Sequence, residues 1–129
     1  MSKWDTAQVA DMQNMFELAI VFNGDVSKWD TAKVTYIFAM FNQATVFNGD
    51  VSKWDTAKVT GMDNMFFKAS KFNQDLSKWD TALVLDGKCT DFALNSGCPI
   101  DANPSNGGNM EQQTCKARLE NCTIDTDSS

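Results

Sequence analysis

The chain has 129 residues, enough for one domain, with 11 basic and 17 acidic side chains, no histidine and a net charge of −6. An acidic chain without a basic stripe argues against nucleic-acid binding, and without histidine a Ser-His or Cys-His catalytic pair is ruled out. No apolar run reaches the roughly 18 residues that span a bilayer, and no polybasic patch suits an anionic membrane surface.

The segment Ser-Lys-Trp-Asp-Thr-Ala stands at residues 2–7, 27–32, 52–57 and 77–82, always 25 residues apart. A fixed period in this range marks a stacked array, in which one unit cannot bury its apolar face alone and its neighbours bury it instead. The columns run beyond this core: Val9, Val34, Val59 and Val84; Met12, Ile37 and Met62; Met15, Met40 and Met65; Phe16, Phe41 and Phe66; Ala19, Ala44 and Ala69; Phe22, Phe47 and Phe72. After Val84 the Met-Phe pair is missing and cysteines appear.

Within a unit, Val59, Met62, Met65, Phe66, Ala69 and Phe72 fall at steps of three and four, which predicts a short helix with one apolar stripe. Asp55 and Thr56 supply its start signal. Leu76 to Trp79 reads as a short strand. The fold class expected is therefore an α/β repeat, a short curved solenoid of leucine-rich-repeat type with one helix and one strand per unit. Units begin near residues 1, 26, 51 and 76. Strands stack more closely than helices, which sets the strand side as the concave edge.

The run Met65-Phe66…Ala69…Phe72-Asn73-Gln74-Asp75-Leu76-Ser77-Lys78-Trp79-Asp80-Thr81 resembles the BspA-like leucine-rich-repeat surface proteins, over about residues 1–88. The resemblance implies a secreted or cell-surface protein used for adhesion or protein binding, with no catalytic residues and no cofactor.

The repeat begins at residue 2, leaving no room for a secretory leader within this sequence. The chain reads either as part of a longer protein or as a complete short one. Its first unit lacks a polar cap, so Trp4, Val9, Met12 and Phe16 need cover from upstream residues, a second copy or a partner. Residues 89–122 hold Cys89, Cys98, Cys115 and Cys122. They read as a disulfide-stapled cap in an oxidising compartment, outside the cell or in an organelle lumen, with the pairing left open. Without histidine or a Cys-x-x-Cys pair, a zinc site there is the weaker reading. Asn121-Cys122-Thr123 is a weak glycosylation acceptor pattern, and residues 123–129 form a polar tail.

The aspartate columns (Asp5, Asp30, Asp55, Asp80 and Asp25, Asp50, Asp75) admit calcium on paper, but single carboxylates in a ladder lack the closed oxygen shell it needs. Turn closure and capping is the simpler reading. Asn23, Asn48 and Asn73 suggest a ladder of amides serving backbone groups. Candidate contact residues are the recurring Ser27, Lys28, Ser52, Lys53, Ser77 and Lys78. Tyr36, Phe38, Gln43 and Phe67 depart from the repeat, and Phe67 is expected on the polar face as an exposed aromatic anchor. The function expected is a non-enzymatic binding or adhesion module for a protein or glycan surface. The alternative is a structural or linker subunit docked through its N-terminal end.

Overall fold

A computed structural model describes residues 4–85 and 88–98 of the chain. Among them there is no helix, and the β-pairing is confined to two isolated parallel bridges, Asp11–Tyr36 and Tyr36–Gly61. The α/β solenoid of leucine-rich-repeat type is overturned: residues 59–72 are not helical, and Leu76–Trp79 is a turn rather than a strand. Of the expected disulfide-stapled cap only residues 89–98 fall within the described part, and there they continue the stack of turns. Residues 99–129 lie outside the described part, with Cys115, Cys122, Asn121 and the tail. Cys89 and Cys98 are buried, and neither is a free thiol.

What stacks is a set of coils made of turns, here numbered coil 1 (residues 4–25), coil 2 (26–50), coil 3 (51–75) and coil 4 (76–98). In coil 2 the N–H of Trp29 donates to the carbonyl of Val26 at 3.2 Å, Val34 to Thr31 at 3.0 Å, Met40 to Ile37 at 3.2 Å, Ala44 to Phe41 at 3.0 Å and Phe47 to Ala44 at 3.2 Å. Each of these turns starts and ends on a buried residue, and its two central residues are more open, Ala39 excepted. A three-residue turn closure therefore places apolar side chains at the same steps as one face of a helix. That is why the periodicity misled.

A helix is blocked by left-handed residues. Asn14 and Leu18 in coil 1, Ala39 and Gln43 in coil 2, Asn64 and Lys68 in coil 3, and Asp91 and Asn95 in coil 4 all hold φ between 54° and 61°. A left-handed residue breaks the i to i−4 ladder. In each coil it swings alternate N–H groups toward the next. Met12, Asn14, Phe16 and Leu18 donate to the carbonyls of Tyr36, Phe38, Met40 and Asn42 at 2.8–3.1 Å. Coil 2 repeats the set on Gly61, Asp63, Met65 and Phe67, and coil 3 on Lys88, Thr90, Phe92 and Leu94. The backbone groups freed from helix geometry are thus satisfied between coils.

The last set shows a register change. From coils 1 and 2 the acceptor lies 24 residues on, but from coil 3 it lies 26 on, so two extra residues fall between Leu85 and Lys88. Cys89 then occupies the column of Met12, Ile37 and Met62, and Phe92-Ala93 that of the Met-Phe pairs, all three fully buried. The pair missing from the fourth unit is displaced, with its core role kept.

Aromatic columns run up the interior. Phe16, Phe41 and Phe66 stack at 5.4 and 5.5 Å, Phe22, Phe47 and Phe72 at 5.8 and 5.9 Å, and Trp4, Trp29 and Trp54 at 5.9 and 6.1 Å. Inside coils 1 to 3 the two Phe columns meet face to face, at 4.0 Å for Phe16–Phe22 and Phe41–Phe47 and 3.8 Å for Phe66–Phe72. Such pairs contribute about 0.5–1.5 kcal/mol beyond their buried area. Polar groups in the core are also partnered by column: the indole N–H of Trp54 donates to the Val26 carbonyl and that of Trp79 to the Val51 carbonyl, both at 2.9 Å. The hydroxyls of Thr6, Thr31 and Thr56 donate to the carbonyls of Asp30, Asp55 and Asp80. Replacing Thr56, buried in the middle of the stack, by valine leaves the Asp80 carbonyl without its donor. We expect a loss of about 1–2 kcal/mol in urea unfolding.

The polar columns do structural work. The carboxylates of Asp5, Asp30, Asp55 and Asp80 each accept the N–H of the alanine two residues on, closing a turn. The side-chain carbonyls of Asn23 and Asn48 accept the N–H of Asn48 and Asn73, so the asparagines form a ladder between coils.

Candidate functional site

Coils 2 to 4 carry the same residues on one outer face, and all four coils carry different ones on another. On the constant face, Ser27-Lys28, Ser52-Lys53 and Ser77-Lys78 are the central residues of the turns Val26–Trp29, Val51–Trp54 and Leu76–Trp79. The lysines are exposed, and the serines are exposed or half-buried. Ser52, Lys53, Ser77 and Lys78 line a shallow groove of about 240 Å³ together with Asp75. The Asp25 and Asp50 carboxylates accept both the hydroxyl and the backbone N–H of Ser27 and Ser52, which with Lys28 and Lys53 nearby holds their pKa below the ordinary value. The carboxylates on which these lysines act thus stand three residues earlier in the chain.

The variable face is built on the outer positions of the turn run that replaces the expected helix. Stacked there are Asp11, Tyr36, Gly61 and Lys88; beside them Gln13, Phe38, Asp63 and Thr90; and then Glu17, Asn42, Phe67 and Leu94. Tyr36, 47 % exposed, and Phe38, half-buried, form the aromatic side of a groove of about 380 Å³ that Thr60, Gly61, Asp63, Leu85 and Lys88 complete. Gly61 opens it by having no side chain in the column where coil 2 has a tyrosine. A Cβ built on Gly61 meets the Tyr36 ring at 3.9 Å and Lys88 at 4.0 Å, ordinary contacts, so a larger residue there fills the groove without backbone strain. Two of the departures picked from the sequence, Tyr36 and Phe38, share this groove. Phe67 is half-buried on the same face, with the Lys68 ammonium 5.2 Å from its ring centre, and Gln43 is half-buried in a left-handed position.

Asp63 is the ionisable wall of the groove. Its carboxylate accepts the Thr90 N–H at 3.1 Å, and partial burial pushes its pKa above the ordinary value although that bond and Lys88 act the other way. A carboxyl whose folded pKa is raised opposes folding at neutral pH, and stability grows as pH falls through the folded value into the ordinary carboxylate range near about 4. Asp63→Asn keeps an acceptor for Thr90 and removes the charge. We expect it to be as stable as the parent or slightly more so at pH 7, and to lose the parent's gain on mild acidification, measured by urea midpoints across that window.

The groove thus offers two aromatic rings, an aliphatic side chain, one acid and one base. Among the described residues no group of three histidine, cysteine or acidic side chains is placed to hold a metal ion. Nor is any helix there long and apolar enough to cross a membrane. Sequence reasoning missed Gly61, Asp63, Leu85 and Lys88. Gly61 and Asp63 were visible as departures in the same columns as Tyr36 and Phe38. Lys88 was hidden by the two extra residues before it.

The fold and its groove define a repeat protein made of stacked turns, with its variation gathered on one face. The chain belongs to the family described as Mycoplasma protein of unknown function, DUF285, which matches residues 1–93. No curated protein and no solved structure matches it.

Proposed function

We propose that this protein is a non-enzymatic protein-binding module, secreted or displayed at a cell surface, whose contact site is the Tyr36–Phe38–Gly61–Leu85 groove. The observation that carries the reading is the confinement of variation. Columns that build the core and turns are constant, whereas the outer positions of the turn run differ in each coil and leave two aromatics and a leucine around a hollow. Hot spots in protein interfaces are aromatic anchors seated in such hollows with polar groups at the rim, as Asp63 and Lys88 are here. The motif resemblance to BspA-like surface proteins supports the adhesion role and the location. The constant Ser-Lys turns repeat without variation, which suits a solvated flank better than a specific contact.

Pull-down from surface extracts of the source organism tests this. A partner held by the parent should bind at least tenfold more weakly to Tyr36→Ala and to Gly61→Leu, and Phe67→Ala should weaken it at an unchanged melting midpoint. If instead the partner survives both groove substitutions and is lost on replacing Lys28, Lys53 and Lys78 by alanine, the constant face is the site. Release of the partner by free glycans would place the ligand among sugars.

A further inference from the structure

The groove beside Gly61 has a polarity that its aromatic walls conceal. It is cut across two columns of the stack, Tyr36, Gly61 and Lys88 in one and Phe38, Asp63 and Thr90 in the other. With no side chain at Gly61, the hollow lies between the Tyr36 ring of the coil before and the Lys88 stem of the coil after. Asp63 stands beside it in the same coil.

Asp63 is the fixed charge of the hollow. One carboxylate oxygen takes the Thr90 N–H at 3.1 Å, and among the described residues no donor meets the other. Burial already opposes its ionisation, and Asp91 close by adds to that. Lys88, the cation that acts on it, is exposed, on a flexible stem that lets its ammonium turn to solvent. Thr60, the other polar side chain of the wall, donates its hydroxyl to the Thr35 carbonyl at 3.3 Å, which leaves its oxygen open as an acceptor. What the hollow lacks is a positively charged donor.

We propose, building on the reading of this groove as the protein-contact site, that the residue it receives is an arginine of the partner, seated over Gly61 with its guanidinium against the aromatic rings and its N–H groups on Asp63 and Thr60. An apolar side chain in the same place would finish burying the Asp63 carboxylate with one oxygen unpaired, which opposes binding. A carboxylate of the partner would reach Lys88 but face Asp63 and Asp91. A guanidinium suits each part of the hollow: its flat face stacks on aromatic rings, and its fork of N–H donors reaches separate acceptors at once. Lysine suits it less, because its compact ammonium is more strongly hydrated and has no flat face to stack.

Tyr36 is the one tyrosine of the chain, so an isotopic label in the tyrosine ring gives the full chain a single set of resonances that reads this groove. The probe is the peptide acetyl-Gly-Arg-Gly-amide. Its controls carry citrulline, which keeps the shape and loses the charge, or glutamate, at the central position. The arginine peptide should shift the Tyr36 signals saturably, the citrulline peptide should bind at least tenfold more weakly, and the glutamate peptide should leave the signals where they are. Asp63→Asn, which keeps an acceptor for Thr90, should weaken the arginine peptide at least tenfold at an unchanged melting midpoint, and Lys88→Ala should tighten it. Equal binding of the citrulline or glutamate peptide, undiminished binding by Asp63→Asn, or no shift with the arginine peptide overturns the proposal. The pulled-down partner tests the groove separately. A partner released by Tyr36→Ala and Gly61→Leu but held by Asp63→Asn leaves the groove as the contact site and removes the arginine from it. A partner that all three variants hold removes the groove itself.

Discussion

Phe66→Ala is expected to cost about 3–5 kcal/mol, a large share of the stability of a domain this size. Phe66 is fully buried and sits where four ring contacts converge: Phe41 in the coil before at 5.5 Å, Phe72 in its own coil at 3.8 Å, and in the coil after Phe92, edge to face at 5.5 Å, and Trp79 at 6.4 Å. Removing the ring opens a cavity between coils that cannot close, because the backbone on both sides is pinned by inter-coil hydrogen bonds, from Phe66 to Phe92 and from Phe41 to Met65, both at 2.8 Å. In a stack, stability is a sum of unit terms and nearest-neighbour interfaces, so one substitution at Phe66 weakens two interfaces at once. Phe16, in the first coil, meets Phe22 in its own coil and Phe41 and Trp29 in one neighbouring coil only, and Phe16→Ala should cost clearly less. Urea unfolding followed by tryptophan fluorescence measures both. A loss below about 1 kcal/mol for Phe66→Ala would show that the ring columns do not carry the core.

The period and the core columns could be read from the chain, because a tryptophan or phenylalanine repeated every 25 residues has few places to go except on its own copy. The path between those columns could not. Steps of three and four are shared by a helix face and by consecutive three-residue turns, and nothing in Val59, Met62, Met65 and Phe66 distinguishes them. The deciding residues are the left-handed ones, and there the signal was weak. Asn14, Asn64, Asp91 and Asn95 are types that tolerate positive φ, but Leu18, Ala39, Gln43 and Lys68 are not, and a column mixing the two kinds does not stand out. The groove was half visible. Tyr36 and Phe38 were recognised as departures, but their meeting with Gly61 and Lys88 depends on stacking 24 residues on in one interface and 26 in the next. The strand assigned to Leu76–Trp79 failed for a related reason: Asp75 accepts the Ser77 N–H at 2.9 Å, and the chain then turns at once, with Trp79 bonded to Leu76 at 3.0 Å.

Those left-handed positions give the second large effect, one with a sign that a helix would reverse. Asn64 and Lys68 hold φ of 56° and 58° in the middle of the stack. Valine at both should cost roughly 1–2 kcal/mol, since Lys68 already bears the ordinary left-handed strain and a β-branched side chain adds to it, while at Asn64 valine replaces a type that tolerates this region. Little packing confounds the change at Lys68, whose side chain is exposed and meets only the Phe67 ring among the aromatics. Lys68→Gly is the sharper comparison. In a helix interior glycine destabilises by about 1 kcal/mol relative to alanine. Here it relieves the left-handed strain, and after the extra chain entropy of glycine in the unfolded state a net gain of about 0.5–1 kcal/mol should remain. The pair of measurements therefore separates the two backbones independently of any spectrum. A stabilised Lys68→Gly beside a destabilised double valine variant requires φ > 0 at these sites, and with it the outward swing of alternate N–H groups that joins Asn64 to Thr90 and Lys68 to Leu94. Glycine destabilising where valine is tolerated would mean that residues 59–72 coil as a helix after all, and the groove beside Gly61, which exists only because this run is made of turns, would go with it.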